Sequence, residues 1–285
     1  MTTIHPIRTG LVQVRRPQME SRRGGLAGMS DMLFDPEWSD WLPIYAWAIE
    51  HDEGVIVVDT GETSRVHDQG YHPRWHPFYR RAVHFSVHPD EELGAQLRAL
   101  GISPRDVRHV VLTHLHTDHA GGLMHVTGSR VWVAREEFER ASGVVGRAQG
   151  YLPHRWPKWW QPEFINFERQ PFGPFDEAMP LTKRGDVLIV PTPGHTPNHV
   201  SVVVCGDPSY LLAGDTSYTE RLLLAGKVDG VSPDPSIARR THSRILALAG
   251  ERPIVYLPSH DPDAEARLVN QTVLQAPAAP STLVA

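Results

Sequence analysis

The chain has 285 residues, enough for one large domain or two small ones around a sizeable core. Its 40% hydrophobic and 21% charged content is that of an ordinary globular enzyme, and a net charge of -5 with dispersed acids excludes a basic footprint for nucleic acid or an anionic membrane surface. No apolar run approaches a membrane span, the first ten residues lack the pattern of a secretory signal, and the single cysteine, Cys205, allows no internal disulfide. A cytoplasmic location is the expectation, with Cys205 read as a small buried hydrophobe.

Residues 4–16 read as a strand, with Ile7, Leu11, Val12 and Val14 at its apolar positions. Residues 17–41 break the pattern with glycines at 24, 25 and 28 and large apolar side chains at Met19, Met29, Met32, Leu33, Phe34, Trp38 and Trp41. A plain solvent loop does not carry so many apolar groups. A substrate lid, a contact with a second copy in a homodimer and a packing arm remain open for it. Residues 43–50 and 54–59 form two strands about the His51-Asp52-Glu53-Gly54 turn. The second delivers Asp59 at its end, as a ligand, a brace or a turn-forming residue.

His67, His72, His76, His84 and His88 follow among prolines that forbid one continuous helix, and are expected at the surface. A helix is predicted from Pro89-Asp90 to Leu100, a strand over 107–112, a short strand over 131–134 and a short helix over 135–141. Residues 143–179 are aperiodic and crowded with aromatics (Trp156, Trp159, Trp160, Phe164, Phe167, Phe172, Phe175), which predicts a cap rather than a linker. Strands over 187–190, 200–205, 210–213 and 254–257 and a helix over 235–249 complete the chain. The expected organisation is a single domain over 1–275, with 17–41 and 143–179 as cap or lid insertions and a loosely ordered tail over 276–285.

Directly after the strand over 107–112 comes Thr113-His114-Leu115-His116-Thr117-Asp118-His119, which packs three histidines and a carboxylate into six residues. Four N/O donors so close suit one borderline divalent cation, or a share of two. Three further strand ends carry metal-competent residues: His195, Asp215 and His260. Loops beyond strand ends on one sheet edge converge in space. Five histidines and two aspartates suffice for two cations sharing a carboxylate, which would clamp a hydroxide between them and lower its pKa.

This set resembles the metallo-β-lactamase superfamily, over about residues 42–260. The resemblance implies an α/β fold, an αββα sandwich of two mixed β-sheets flanked by helices. It implies one metal on His114, His116 and His195, a second on Asp118, His119 and His260, and Asp215 between them. Asp59 would brace the histidine loop. In Pro193-Gly194-His195-Thr196-Pro197-Asn198-His199, Asn198 stands where the superfamily has glycine and is expected to keep the turn by accepting left-handed backbone. His199 would support the ligands without being one. Zinc is the default cation, with cobalt, manganese or iron also compatible.

Within the superfamily, Gly214-Asp215-Thr216-Ser217-Tyr218 resembles the N-acyl homoserine lactonases, in which a tyrosine follows the bridging aspartate by three residues. The implied function is opening of a lactone ring, a small-molecule substrate, by attack of the shared hydroxide on the carbonyl. Tyr218 would polarise the carbonyl and Asp118 would carry the proton. An acyl chain needs an apolar trough, for which Met19, Met29, Trp38, Trp156 and Phe172 are the candidates. The alternative is another small lactone or ester hydrolase, or a glyoxalase II-like thioesterase, on the same centre, although the basic C-terminal region expected for glutathione is missing after His260.

Overall fold

The computed structural model describes residues 2–276. The expected loose tail therefore lies outside the described residues, Ala276 excepted. The N-terminal run forms strand β1 (Thr3–Val14), antiparallel to β2 (Leu42–Glu50), which pairs in turn with β3 (Val55–Val58). Edge strand β4 (Val83–Ser86) pairs with β1, while β5 (Val107–Val111), β6 (Arg130–Val133) and the two-residue β7 (Glu163–Phe164) continue in parallel beyond β3. A second sheet holds β8 (Met179–Pro180), β9 (Val187–Pro191), β10 (Val200–Val204), β11 (Ser209–Gly214) and β12 (Ile254–Pro258), with β11 and β12 parallel.

Alternation along β2 shows why the sheets stack. Tyr45, Trp47 and Ile49 point between the sheets, where they meet Ile189, Val200, Val202, Leu212 and Val255 of the second sheet. Ala46 and Ala48 point outward and leave room for helical residues Leu93, Leu97 and Ala141. On the far side, Val203, Leu211 and Tyr256 receive Ile245 and Leu248 of the helix Pro235–Glu251. Strands buried on both faces read as continuous apolar runs for this reason. The layers are helix, sheet, sheet, helix: the αββα sandwich.

Some local expectations change. The helix after Pro89 begins at Leu93, because Glu92 turns its carboxylate to Ser64 N at 2.8 Å and to His125 Nε2 at 2.6 Å. His67, His84 and His88 are exposed as expected, but His76 is buried and His72 half-buried. The short helix Pro77–Arg81 folds over them: His72 stacks on Tyr79 at 4.2 Å, and His76 Nε2 donates to Ala148 O at 3.0 Å. Asn198 is not left-handed, since among the described residues only Asp59 and Gln271 are non-glycine residues with positive φ. Its turn closes through Gly194 N and His199 N donating to Thr196 O. Cys205 is half-buried against the outer core.

Several aromatics of 143–179 fill core, while Trp159 is exposed. Trp156 and Trp160 pack on Phe138 at 5.5 and 5.6 Å, and Phe175 is fully buried beside Leu248. This stretch carries the chain from the edge of the first sheet to the edge of the second, and its rings cover what it crosses.

Candidate metal centre

Strand direction gathers the site. β3 and β5 are parallel and release Asp59 and Thr113 at one edge of the first sheet. β9, β11 and β12 run the same way in the second sheet and release His195, Asp215 and His260 at the corresponding edge. Backbone bonds from Val200 N to Thr113 O and from Tyr45 N to Ser259 O tie the two edges together.

The donor atoms converge. His116 Nδ1 lies 2.9 Å from His114 Nε2 and 3.1 Å from His195 Nε2. Asp215 places Oδ2 3.4 Å from both His195 Nε2 and His260 Nε2, and Oδ1 3.4 Å from His119 Nε2. Asp118 Oδ2 lies 3.5 Å from His260 Nε2. Three overlapping groups have ligand atoms within one coordination sphere: His114, His116 and His195; His114, His119 and Asp215; and Asp118, His119 and His260.

The outer nitrogens are engaged elsewhere, which aims the inner ones. His260 Nδ1 donates to Pro43 O at 2.9 Å, and because a carbonyl only accepts, the proton sits on Nδ1. His119 Nδ1 is 2.8 Å from Asp59 Oδ2, His195 Nδ1 is 3.3 Å from Asp229 Oδ1, and His114 Nδ1 is 3.1 Å from Thr113 Oγ1. Such outer partners orient ligand imidazoles and raise their basicity. His119 Nε2 and Asp215 Oδ1 are buried with no hydrogen-bond partner. Bare buried donors and acceptors are costly, and a divalent cation supplies what they lack. The donor set fits.

Asp59 braces the histidine loop: its carboxylate also accepts from Thr113 N at 2.8 Å and Thr113 Oγ1 at 2.9 Å. Its left-handed backbone (φ 59°) turns the side chain back into the loop. His199 lies outside the converging donor groups. Its Nε2 accepts from Asp215 N at 3.1 Å, so Nδ1 donates to Thr192 Oγ1 at 2.9 Å, and burial, then His195, pushes its pKa down to about 3. Gly214 (φ 55°) allows this approach, since a Cβ there would sit 2.6 Å from His199 Nε2.

Burial, reinforced by neighbouring imidazoles, pushes His114 and His116 well below the usual histidine range and keeps them neutral. Burial also opposes charge on His119, but Asp215, Asp59 and Asp118 outweigh it and hold that imidazole well above the usual range. Burial likewise disfavours the Asp215 anion, yet His260, His119 and His195 hold its carboxyl well below the ordinary value.

A cavity of about 430 Å³ opens onto the centre, lined by His116, Asp118, His195, Asp215 and Tyr218 and walled by Val12, Val14, Met29, Met32, Leu33, Phe78, Tyr79 and Phe85. Tyr218 stacks on His260 at 5.4 Å. The turn that carries Tyr218 is pinned by Thr216, whose Oγ1 bonds the Tyr256 hydroxyl at 2.7 Å and whose carbonyl accepts from His242 Nε2 at 2.6 Å. Of the trough candidates, Met29 lines the cavity. Met19 packs in the apolar cluster behind the wall, Trp38 lies between His84 and the Arg15 guanidinium, Trp156 is in the core with Phe138, and Phe172 lies under Arg252. These four do not line it, because each already fills a packing site.

Sequence reasoning missed Asp229 and Glu137. Glu137 is buried and accepts from Leu115 N at 3.2 Å and the Tyr151 hydroxyl at 2.9 Å, holding the histidine loop from beneath. It sits in Arg135-Glu136-Glu137, where nothing distinguishes the inward acid from its exposed neighbour. Asp229 belongs to an ordinary Asp-Gly turn.

The sandwich and the centre together define a metal-dependent hydrolase. Residues 39–260 match the model of the metallo-beta-lactamase superfamily. The chain is 31% identical over 242 residues to N-acyl homoserine lactonase AttM of Azorhizobium caulinodans, covering 78% of this chain and 83% of the relative. It is 28% identical over 235 residues to N-acyl homoserine lactonase AiiA of Bacillus thuringiensis subsp. kurstaki, covering 79% and 83%. The solved structure of an N-acyl homoserine lactone hydrolase with the product N-hexanoyl-L-homoserine at its catalytic metal center superposes with a TM-score of 0.72 at 21% identity, over 92% of this chain and 94% of that one. The chain belongs to the metallo-beta-lactamase superfamily, and it binds divalent metal as a hydrolase of that superfamily.

Proposed function

We propose that the protein opens a lactone ring, that of an N-acyl homoserine lactone, with two divalent cations held by its buried donors. His114, His116 and His195 would hold one, Asp118, His119 and His260 the other, and Asp215 both; zinc is the default. The observation that carries the reading is the position of Tyr218, in the wall of the cavity that opens onto Asp118 and Asp215. The sequence similarity to lactonases over most of the chain supports it. Cations held there supply Lewis-acid polarisation of a carbonyl and lower the pKa of water.

The chain's own groups do the rest. Burial pushes the Tyr218 hydroxyl well above the ordinary tyrosine value, so it stays protonated and donates to the oxygen on which charge develops. Asp118 reaches the cavity and accepts the proton released in the attack, then returns it to the leaving ring oxygen. The walls of Val12, Val14, Met29, Met32 and Leu33 take the acyl chain and exclude water.

The test is hydrolysis of acyl homoserine lactones of several chain lengths by metal-replete protein, beside a glutathione thioester and a phosphodiester. No lactone turnover at any length would refute the reading. Tyr218→Phe should lower kcat about ten- to hundredfold, toward the loss seen for other oxyanion donors, with metal content unchanged. A Tyr218→Phe rate equal to that of the wild type would remove the tyrosine from the chemistry.

A further inference from the structure

Arg140, on the helix Arg135–Ser142, lines the same cavity and is half-buried there. Among the described residues its guanidinium has no hydrogen bond, ion pair or aromatic partner. That sets it apart from Arg23, the other arginine of the wall, whose guanidinium is closed off by Asp31. The acid one turn back, Glu137, makes no ion pair with it: its buried Oε1 accepts from Leu115 N and the Tyr151 hydroxyl. On the same helix, Glu137 takes the Tyr151 hydroxyl at 2.9 Å, and the Tyr151 ring is 4.9 Å from that of His116. An open cation thus stands on the His116 side of the centre, in a cavity whose remaining walls are largely hydrocarbon.

A guanidinium carries five donors in a planar fork matched to carbonyl and carboxylate oxygens. Partial burial without a partner is unfavourable unless a ligand oxygen completes it. In the lactone reading, on which this inference rests, the ring oxygens are turned to the metal donors and Tyr218. The acceptor left for Arg140 is an oxygen outside the ring. We infer that Arg140 is a specificity-determining residue that donates to the acyl carbonyl oxygen, so that the site selects amide-bearing lactones over plain alkyl lactones.

The experiment compares N-hexanoyl homoserine lactone with an α-alkyl γ-butyrolactone of equal length, which lacks that oxygen. In Arg140→Met the ratio of kcat/KM for the amide lactone to that for the alkyl lactone should fall about tenfold or more, mainly through KM, as for loss of a hydrogen bond to a charged group. Arg140→Lys should recover part of the ratio. Arg147→Met, at an exposed position outside the wall, should leave it unchanged. If wild type hydrolyses both lactones and Arg140→Met keeps the ratio within twofold, this inference alone is overturned. An equal fall in Arg147→Met would overturn it too, by showing a general charge effect. If wild type hydrolyses neither lactone, the lactone reading fails and takes the inference with it.

Discussion

Asp229 offers the sharpest test of how the centre is tuned, because Asp229→Asn changes charge with almost no change in shape. Its Oδ1 accepts from Val231 N at 2.9 Å and Ser232 N at 2.7 Å and faces His195 Nδ1 at 3.3 Å. Its Oδ2 accepts from Ser232 Oγ at 2.8 Å. An asparagine can place its carbonyl oxygen where Oδ1 is, and its amide then donates to Ser232 Oγ, which is free to accept. The turn survives and the negative charge beside His195 is lost. A unit charge pair near 3–4 Å is worth at most about 5 kcal/mol at an effective dielectric of 20. Outer partners of metal-bound histidines are worth about 10–100-fold in affinity, or about 1.4–2.7 kcal/mol. The smaller range is expected, since the histidine keeps its hydrogen bond and loses only the charge assistance. With two zinc ions bound as proposed, competition with a chromogenic chelator should show one zinc constant weakened by that factor and the other much less changed. Thermal unfolding of the metal-free variant should stay close to wild type. Unchanged zinc constants would refute the role given to Asp229. An equal fall in both constants, with a lower unfolding midpoint without metal, would mean that the carboxylate serves the fold instead.

Two further outcomes follow from packing and burial. Burial pushes the Glu62 carboxyl up from 4.5 to about 8, so the folded chain holds its proton more tightly than the unfolded chain. That contribution to stability is complete below about 4.5 and is lost as pH rises through about 8. In metal-free protein, Glu62→Gln should therefore gain on wild type by about 2–4 kcal/mol between pH 5 and pH 8 in urea melts; an equal difference at both pH values would count against a neutral Glu62. Trp156→Ala should cost about 2–3 kcal/mol, below the range for a fully buried tryptophan, and leave the KM for lactone as it was. A raised KM without a loss of stability would return Trp156 to the substrate wall.

The converging donors were legible because each stands at the end of a strand whose burial the sequence declares. The run over 107–112 must be a strand, and histidines immediately beyond it must lie at a sheet edge. The same logic covers His195, Asp215 and His260. It fails for Asp229 and Glu137, which act through a turn and through one face of a short helix, where charged residues occur on any surface. It also fails for the aromatics of 143–179. Density of rings says that apolar area will be buried, but only the three-dimensional crossing between sheet edges decides that Trp156 and Phe175 fill core while residues 148–151 border the cavity.

The division of the ligands between the sheets carries one further consequence. His114, His116, Asp118 and His119 hang from the first sheet, and His195, Asp215 and His260 from the second. Each of the three converging groups that could share a cation draws on both. None exists until the sandwich has closed, so a cation bound there favours the closed state over the unfolded chain by mass action. Its loss leaves the edges without that link. The bonds from Val200 N to Thr113 O, from Tyr45 N to Ser259 O and from His260 Nδ1 to Pro43 O are then direct ties at that edge, and they are where opening of the metal-free protein should begin.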